Sequence, residues 1–485
     1  MSTLNTTCNA LTGGIDALDG RGAEYALAFS GTWGIGDEVT LTLTNSLTGL
    51  QTQVGSGNAS GIAPNYCFTF NQKVYTLAGS ATYFSAVNLP TTFNDPNAAG
   101  NGYLNMADYF AVQGALTGMA PYQGKLVFCT NACVFIWQVD PDPANWIKTQ
   151  TLPNVGTMAP LSIQPVGDMD IYMLYSSGVR SIRVRDASNN AIIADIGTPI
   201  DALIQSVLVT LSDAQKATAC GIVEPSANRY WLYIPTAADN PANGVTGKIY
   251  VFSYFPSSQV AAWSTYDPTY QTPVSAPGAN YPSSGPATLT YTGLTVGGQY
   301  AWTPGVHEKS ITNGSQVFTK GIVFTATGST AVVTGASGSA VFTGTLNLVN
   351  WFAPSKFELY NSQVYARSGD NLFQYGGTGN NIYENCGVAA ITPYIDSGLP
   401  GNWKTYSGIE SAFQGYWQIG VSADYVANNF RPVYQNTLST FNYQSIPYDG
   451  RGTHYAFQCN EYGIGYARLS SLLMHIANPP QGYEK

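Results

Sequence analysis

Three histidines, seven cysteines and a few paired carboxylates are the residues of this 485-residue chain whose types lend themselves to catalysis or metal binding. His307, His454 and His475 stand alone in the sequence, and neither a His-x-x-x-His nor a Cys-x-x-Cys spacing occurs, so a zinc hydrolase is not expected. His454 lies in Arg451-Gly-Thr-His-Tyr455, but no Gly-x-Ser-x-Gly elbow accompanies it, and an imidazole bonding a neighbouring strand is the expected role. His307, beside Glu308, reads as a surface residue. The cysteines (Cys8, Cys67, Cys129, Cys133, Cys220, Cys386, Cys459) are odd in number and widely spread, unlike a disulfide framework. Cys129 and Cys133 flank the turn Thr130-Asn131-Ala132 and could meet across a hairpin as ligands or a labile disulfide. Without a second Cys or His pair, two small apolar residues in a reduced protein are expected.

Paired carboxylates are what a glycosidase needs, an acid and a base or nucleophile across the scissile bond. The candidates are Asp140 and Asp142 in Val-Asp-Pro-Asp-Pro, Asp168 and Asp170 in Gly-Asp-Met-Asp, and Glu224. Turn chemistry accounts for both Asp pairs, since Asp caps the local backbone beside Pro and after Gly. A calcium site built from such loops lacks its ligand count, and no Gly-rich segment matches a phosphate-binding loop. No catalytic, cofactor-binding or metal-ligating residue is therefore assigned, and no enzyme activity is expected.

The elements that would position any site are strands. A unit of apolar strand, tight turn and second apolar strand recurs at Asn71 to Ser85, Gln123 to Trp137, Gly167 to Arg183, Asn228 to Ile234 with Lys248 to Tyr254, and Ser362 to Tyr375. The first four copies start roughly 45 to 60 residues apart, about the period of a four-stranded propeller blade. Glu38 to Asn45 alternates apolar and Thr residues, followed by Leu50 to Val54 and a Gly/Ser loop at 55–61. An all-β fold is expected: a β-propeller platform with one or two small inserted β modules and very little helix. The boundaries read as an N-terminal segment at 1–23, a small β module at 24–68, the propeller's first part at 69–276, an inserted β module at 277–349 and the propeller's closing part at 350–485. The Pro/Ser/Gly-rich stretch from Pro273 to Pro286 marks the insertion. Helical spacing is convincing only from Asp201 to Leu208, continuing toward Ser212 to Ala219. Ile464 to Ile476 fits helix or a final strand and leans to strand.

Only 10% of residues are charged, against about a quarter in ordinary soluble domains, whereas Gly (51) and Tyr (33) are abundant. So few charges suggest a surface that meets other protein in an assembly. The net charge of −9, with 19 basic against 28 acidic residues and no basic run, disfavours gripping DNA by counterion release. DNA sliding past an acidic surface stays open. Met1 to Cys8 carries neither a basic nor an apolar leader, and the apolar stretches are shorter than a membrane span, so a soluble protein made in the cytoplasm without stable membrane insertion is expected.

Several stretches together resemble the tail nozzle, tail tubular or packaged-DNA stabilisation proteins of short-tailed bacteriophages. They are Tyr83 to Phe93, Leu116 to Phe128, Ala159 to Tyr172, Gly178-Val-Arg-Ser181, Asp195-Ile-Gly-Thr-Pro-Ile-Asp201 and Tyr466 to His475, in that order along the chain. The resemblance covers roughly 70–220 and 350–478. It implies a structural virion protein, a propeller-based subunit of a ring, by family analogy a hexamer, below the portal and adaptor. Such a ring meets tail fibre or spike proteins and encloses the channel that retains and ejects the genome, with viral DNA passing without specific binding. The protein would be assembled in the host cytoplasm and reside in the virion tail. The family supplies no catalytic residue or cofactor. A propeller-based tail adhesin for host glycans is the alternative, with aromatic side chains converging in a shallow pocket on the inserted module; a tail glycosidase is third.

Overall fold

The structure, a computed structural model, describes residues 38–44 and 51–58 by their backbone, and 66–477 apart from 94–97, 108–113, 184–194, 238–244, 256–259, 320, 337–339, 376–387, 399–400, 424–428, 437–439 and 462–466. Cys8 and Cys386 lie outside the described residues. The chain divides into two units, Met1–Ala63 and Pro64–Lys485. In the first, Glu38–Thr44 (β1) and Gln51–Asn58 (β2) pair antiparallel, with the register shifting between Leu41 and Thr42. β2 runs through Gly55 to Asn58, so the loop expected at 55–61 begins later than its Gly/Ser content suggests.

The second unit is all-β, as expected. Its first sheet comprises Tyr66–Phe70 (β3), Lys73–Ala78 (β4), Ala81–Phe84 (β5) and Gly102–Asn105 (β6) in chain order, so residues 66–68 belong here rather than to the N-terminal module. The second is Leu116–Tyr122 (β7), Lys125–Thr130 (β8), Cys133–Gln138 (β9) and Ile147–Pro153 (β10). The third is Gln164–Val166 (β11), Asp170–Tyr175 (β12) and Gly178–Ser181 (β13). After helices Asp201–Leu208 (α1) and Asp213–Ala217 (α2) comes the fourth, Cys220–Glu224 (β14), Arg229–Pro235 (β15), Gly247–Phe255 (β16) and Val260–Tyr266 (β17).

An inserted module follows. Its strands are Thr269–Pro273 (β18), Thr288–Thr292 (β19), Gln299–Thr303 (β20), Glu308–Asn313 (β21), Gln316–Phe318 (β22), Ile322–Thr325 (β23), Thr330–Gly335 (β24) and Thr345–Trp351 (β25). They form two four-stranded sheets, β18-β25-β20-β23 and β19-β24-β21-β22, around Tyr291, Trp302, Ile311, Phe324 and Val333. Because β18 pairs with β25, the module spans 269–351, a little wider than its Pro-rich opening suggests. The fifth sheet of the succession is Lys356–Tyr360 (β26), Gln363–Ser368 (β27) and Asn371–Tyr375 (β28).

The remaining strands are Ala389–Ile391 (β29), Lys404–Gln414 (β30), Trp417–Ser422 (β31), Arg431–Asn436 (β32), Asn442–Gly452 (β33), Ala456–Glu461 (β34) and Arg468–Ala477 (β35). They make two sheets, β29-β34-β31-β32 and β33-β30-β35, around Tyr406, Phe413, Trp417, Ile419 and Phe457. Their crossed strand orders differ from the simple meanders before them. The ambiguous 464–476 segment is a strand where described.

All five recurring units are hairpins, and each enters its first strand, the second of its sheet, through a left-handed residue. Asn71-Gln72 (φ 45 and 63), Gln123-Gly124 (φ 50 and 69) and Asn361-Ser362 (φ 50 and 59) have the signs of a type I′ turn, while Gly167 (φ 58) and Asn228 (φ 51) serve the other two. Successive sheets pack face to face. Leu126 and Phe128 of β8 join Tyr75 and Phe84 of the first sheet, while Val127 and Cys129 join Ile171 and Met173 of the third. In β15, Tyr230, Leu232 and Ile234 pack toward Leu174, Val179 and α1, whereas Trp231 and Tyr233 pack toward Phe357, Val364 and Tyr375 of the fifth sheet. Strands buried on both faces must read as continuous apolar runs rather than alternate.

Candidate functional site

The most concentrated polar constellation lies where β13 meets the start of α1. Arg180, 5% exposed, points its guanidinium between two segments. Its Nη1 donates to Asp201 Oδ1 and to Val179 O, both at 2.8 Å; its Nη2 donates to Ser177 O at 2.8 Å and Ser177 Oγ at 2.7 Å. Its Nε stands 3.9 Å from Asp195 Oδ2. Asp195 Oδ1 accepts from the backbone N–H of Ser181 and of Ile196, both at 2.9 Å. Asp170 completes the set: Ser181 Oγ donates to its Oδ2 at 2.6 Å, and the N–H groups of Ile171 (2.7 Å) and Arg183 (2.9 Å) donate to its Oδ1.

Backbone geometry admits this network through two glycines. Gly178 has φ 129, and a Cβ there would meet Asp201 Oδ1 at 1.8 Å; at Gly197 a Cβ would meet Val179 O at 2.3 Å. Two carboxylates share the one guanidinium, and the third, Asp170, lies near Asp195 with its bonds coming from Ser181, Ile171 and Arg183 N, which leaves negative charge in a partly dry place. Burial pushes the Asp170 carboxyl above its ordinary range, opposed by the bonds from Ser181, Arg183 and Ile171. The constellation can hold strand, turn and helix in register. The Ser181 hydroxyl on the Asp170 carboxylate is fully buried, out of a substrate's reach.

Three stretches of the phage-tail resemblance, 159–172, 178–181 and 195–201, supply Asp170, Gly178, Arg180, Ser181, Asp195, Gly197 and Asp201 of this network. Sequence reasoning weighed Asp170 as a carboxylate beside Asp168 but missed that Asp195 and Asp201 converge on Arg180, next to Asp170's partner Ser181. Opposite charges spaced along the chain give no hint of contact across 21 residues. Asp168 instead accepts from Gly124 N at 3.2 Å, linking the turns of the second and third sheets.

The other candidates have structural duties. Asp140 Oδ1 accepts from Asp142 N at 2.8 Å and Asp142 Oδ1 from Ala144 N at 3.0 Å, the turn chemistry expected of them. Glu224 Oε2 accepts from Trp231 Nε1 at 3.0 Å and lies 3.9 Å from Arg229 Nη1. Cys129 and Cys133 are free and do not face each other: Cys129 pairs with Val134 and belongs to the core toward the third sheet, Cys133 to the core toward the first. Burial pushes the Cys129 thiol up to about 12. His307 is half-buried rather than a surface residue, because its neighbour Glu308 turns into the module, where Tyr281 Oη (3.3 Å) and Thr343 N (3.2 Å) donate to Glu308 Oε1. His454 Nδ1 lies 2.9 Å from Thr453 Oγ1. His475 Nε2 lies 3.2 Å from Glu410 Oε1, and Tyr443 Oη donates to Glu410 Oε2.

Lys73 was not singled out by the sequence, yet it is 1% exposed. Its ammonium donates to Gly100 O and Pro141 O, both at 2.6 Å, and sits 5.3 Å from the Phe84 ring centroid. Burial pulls its pKa down, opposed by Asp140 and Asp142. The aromatic side chains of the inserted module, including Tyr281, Tyr291, Trp302 and Phe342, pack inward on one another rather than converging on a surface pocket.

A cleft of about 570 Å³ lies beside the constellation between Met158, Leu174, Ser177, Gln205, Leu208 and Lys216. A second, about 610 Å³, runs along β11, β14 and β26 past Tyr172, Arg229, Tyr254 and the ion pair Lys356–Glu358. Neither has two carboxylates in its lining, the arrangement glycoside hydrolysis requires. Among the described residues no group of three or more His, Cys, Asp or Glu could hold a metal ion, and no helix is long and apolar enough to cross a membrane.

No family model matches this chain, and no curated protein matches it. Among solved structures it is similar to Morganella morganii TcdA4 at a TM-score of 0.13 and 8% identity, over 85% of this chain and 21% of that one, a likeness too slight to carry an argument.

Proposed function

We propose that this chain is a structural virion protein, the subunit of a ring-shaped tail nozzle that forms the channel for genome retention and ejection in a short-tailed phage. The observation that carries it is the convergence on Arg180. Stretches scattered over 159–201, through which the sequence resembles nozzle proteins, are spent on one buried structural network rather than on a pocket. A network of this kind supports the reading of a part whose duty is shape.

The five stacked meanders, an open succession rather than a closed propeller, serve as the platform, with the inserted module making contacts between neighbours or forming the distal rim. The ring is a homo-oligomer, by family analogy a hexamer, contacting the tail adaptor and the fibre or spike proteins. With a net charge of −9, its lumen lets viral DNA pass without counterion-release binding. Electron microscopy of the purified protein and of the virion that carries it tests this. Rings on the tail axis around a bore are expected; peripheral trimeric spikes would refute it.

A further inference from the structure

Interior sheets of the succession are covered on both sides. In β8 every residue from Leu126 to Thr130 is buried, and in β15 every residue from Tyr230 to Ile234. Among the described residues, the first sheet is covered on one side alone. Its other face carries Cys67, Thr69, Val74, Thr76, Tyr83 and Tyr103, with Cys67, Thr76, Tyr83 and Tyr103 forming one cross-strand row. Cys67 and Thr69 are exposed, and Tyr103 is 64% exposed and stacked on Tyr83 at 5.7 Å. Among the described residues no charged residue lies on this face, unlike a sheet face meant for water.

At the other end of the succession the outward face of the fifth sheet is also open, but chemically different. It presents Lys356, Glu358 and Arg367 with Tyr360 and Leu372, the last two 70% and 66% exposed. Because both end faces are exposed, the succession does not close by packing its own ends together.

We propose that the uncharged face of the first sheet docks on the outward face of the fifth sheet of a second copy of this chain. Within one chain, consecutive sheets already pack in this way four times, and the contact continues the same packing into the next copy. The faces complement each other. Tyr360 and Leu372 supply apolar bodies for a Thr- and Tyr-lined surface, and Arg367 and Lys356 supply cations for the stacked Tyr83 and Tyr103 rings, a pairing of Tyr with Arg typical of interface cores. Two unlike faces make a head-to-tail contact, which generates rings or filaments. The contact rests on the ring assembly proposed above and names its surface.

Cys67 is a built-in reporter, since Cys129, Cys133, Cys220 and Cys459 are buried. The full-length protein is labelled with a thiol reagent at concentrations where mass photometry shows monomers and where it shows assemblies, with adducts located by peptide mass so that Cys8 and Cys386 are read separately. Labelling of Cys67 is expected to slow about tenfold or more on assembly. Oxidation of assembled Gln374→Cys protein is expected to join that position to the Cys67 peptide between chains, because Gln374 shares a row with Glu358 and Tyr365 on the docking face. Tyr103→Asp and Leu372→Asp, both at exposed positions, should each raise the assembly midpoint about tenfold or more. Assemblies in which Cys67 stays as reactive as in the monomer overturn this face while leaving the ring standing. Protection seen in virions but not in purified assemblies assigns the face to another virion protein and also overturns it. A protein that stays monomeric at every concentration overturns both.

Discussion

Replacing Arg180 by Met keeps the length of the side chain and removes the charge from a place where it cannot be spared. Asp195 and Asp201 would keep their carboxylates at 8% and 21% side-chain exposure without their cation, and Val179 O and Ser177 O would lose a donor. Removing one member of a buried ion pair costs about 3–5 kcal/mol, because the remaining charge stays buried and unpaired. The chain has several separate cores, so one global unfolding free energy is not well defined. The suitable assay is native-state hydrogen exchange at the amides of β12 and β13, whose ladder runs from Tyr172–Ser181 to Tyr175–Gly178. A loss of that size speeds exchange there by on the order of 10² to 10³, at tenfold per 1.4 kcal/mol. Asp170→Asn is the matched control. Its folded pKa is raised, so its contribution to stability is fully present below the unfolded value near 3.8 and is lost as pH rises through the folded value. At neutral pH the charged form is a burden, and the Asn variant should exchange no faster than wild type while losing that pH dependence. Arg180→Met protein whose third-sheet amides exchange within about tenfold of wild type would refute the view that Arg180 locks this junction.

Three other perturbations test separate parts. Lys73→Met should destabilise the first sheet by about 2–4 kcal/mol, because two charge-assisted bonds to Gly100 O and Pro141 O are lost from a residue 1% exposed; unchanged exchange at β4 and β5 would contradict this. The Tyr443 hydroxyl, with a smaller contribution from His475, holds the Glu410 carboxyl below its ordinary range, so Tyr443→Phe should move its NMR titration up in pH; an unmoved titration removes that bond from the account. Excising 274–344 and joining Pro273 to Thr345 keeps the β18–β25 pair and should weaken ring assembly while the five-sheet succession stays folded; rings that form normally would end the assembly role of the inserted module.

Much of the fold was legible because the period of the apolar runs and the turn residues act locally. Asn71-Gln72, Gln123-Gly124 and Asn361-Ser362 announce hairpins by their tolerance of left-handed backbone, and the structure has hairpins at each. The helix at Asp201 to Leu208 was readable from spacing, whereas spacing left the last strand open between helix and strand. Boundaries set by pairing over long distances were not. That Thr269 begins the inserted module depends on its partner Trp351, 82 residues on, and nothing local in either strand says so. Sequence reading makes 350–485 the platform's closing part, and 389–477 fall within it. Strands such as Ala456–Glu461 are of meander length, but only their pairing with Trp417–Ser422 and Ala389–Ile391 reveals a two-sheet module. The Arg180 network was invisible for the same reason, since the chemistry of Gly178, Asp195 and Asp201 becomes specific only once β13 and α1 are neighbours.

The scarcity of charge follows from the same packing. A strand with one wet face needs polar or charged residues at every second position, whereas β8 and β15 bury both faces and have room for neither. Stacking sheet on sheet therefore lowers the charged fraction layer by layer, and the two end faces must show where the stack stops. The fifth sheet ends it as a soluble protein would, with Lys356, Glu358 and Arg367 turned outward. The first sheet does not. Thr, Val, Cys and Tyr on its open face continue the interior composition to the last layer, as if another layer followed. A monomer gains nothing from such a face and risks aggregation through it. A subunit whose neighbour supplies the missing layer gains an interface in place of that open face, as the proposed ring of repeated copies requires.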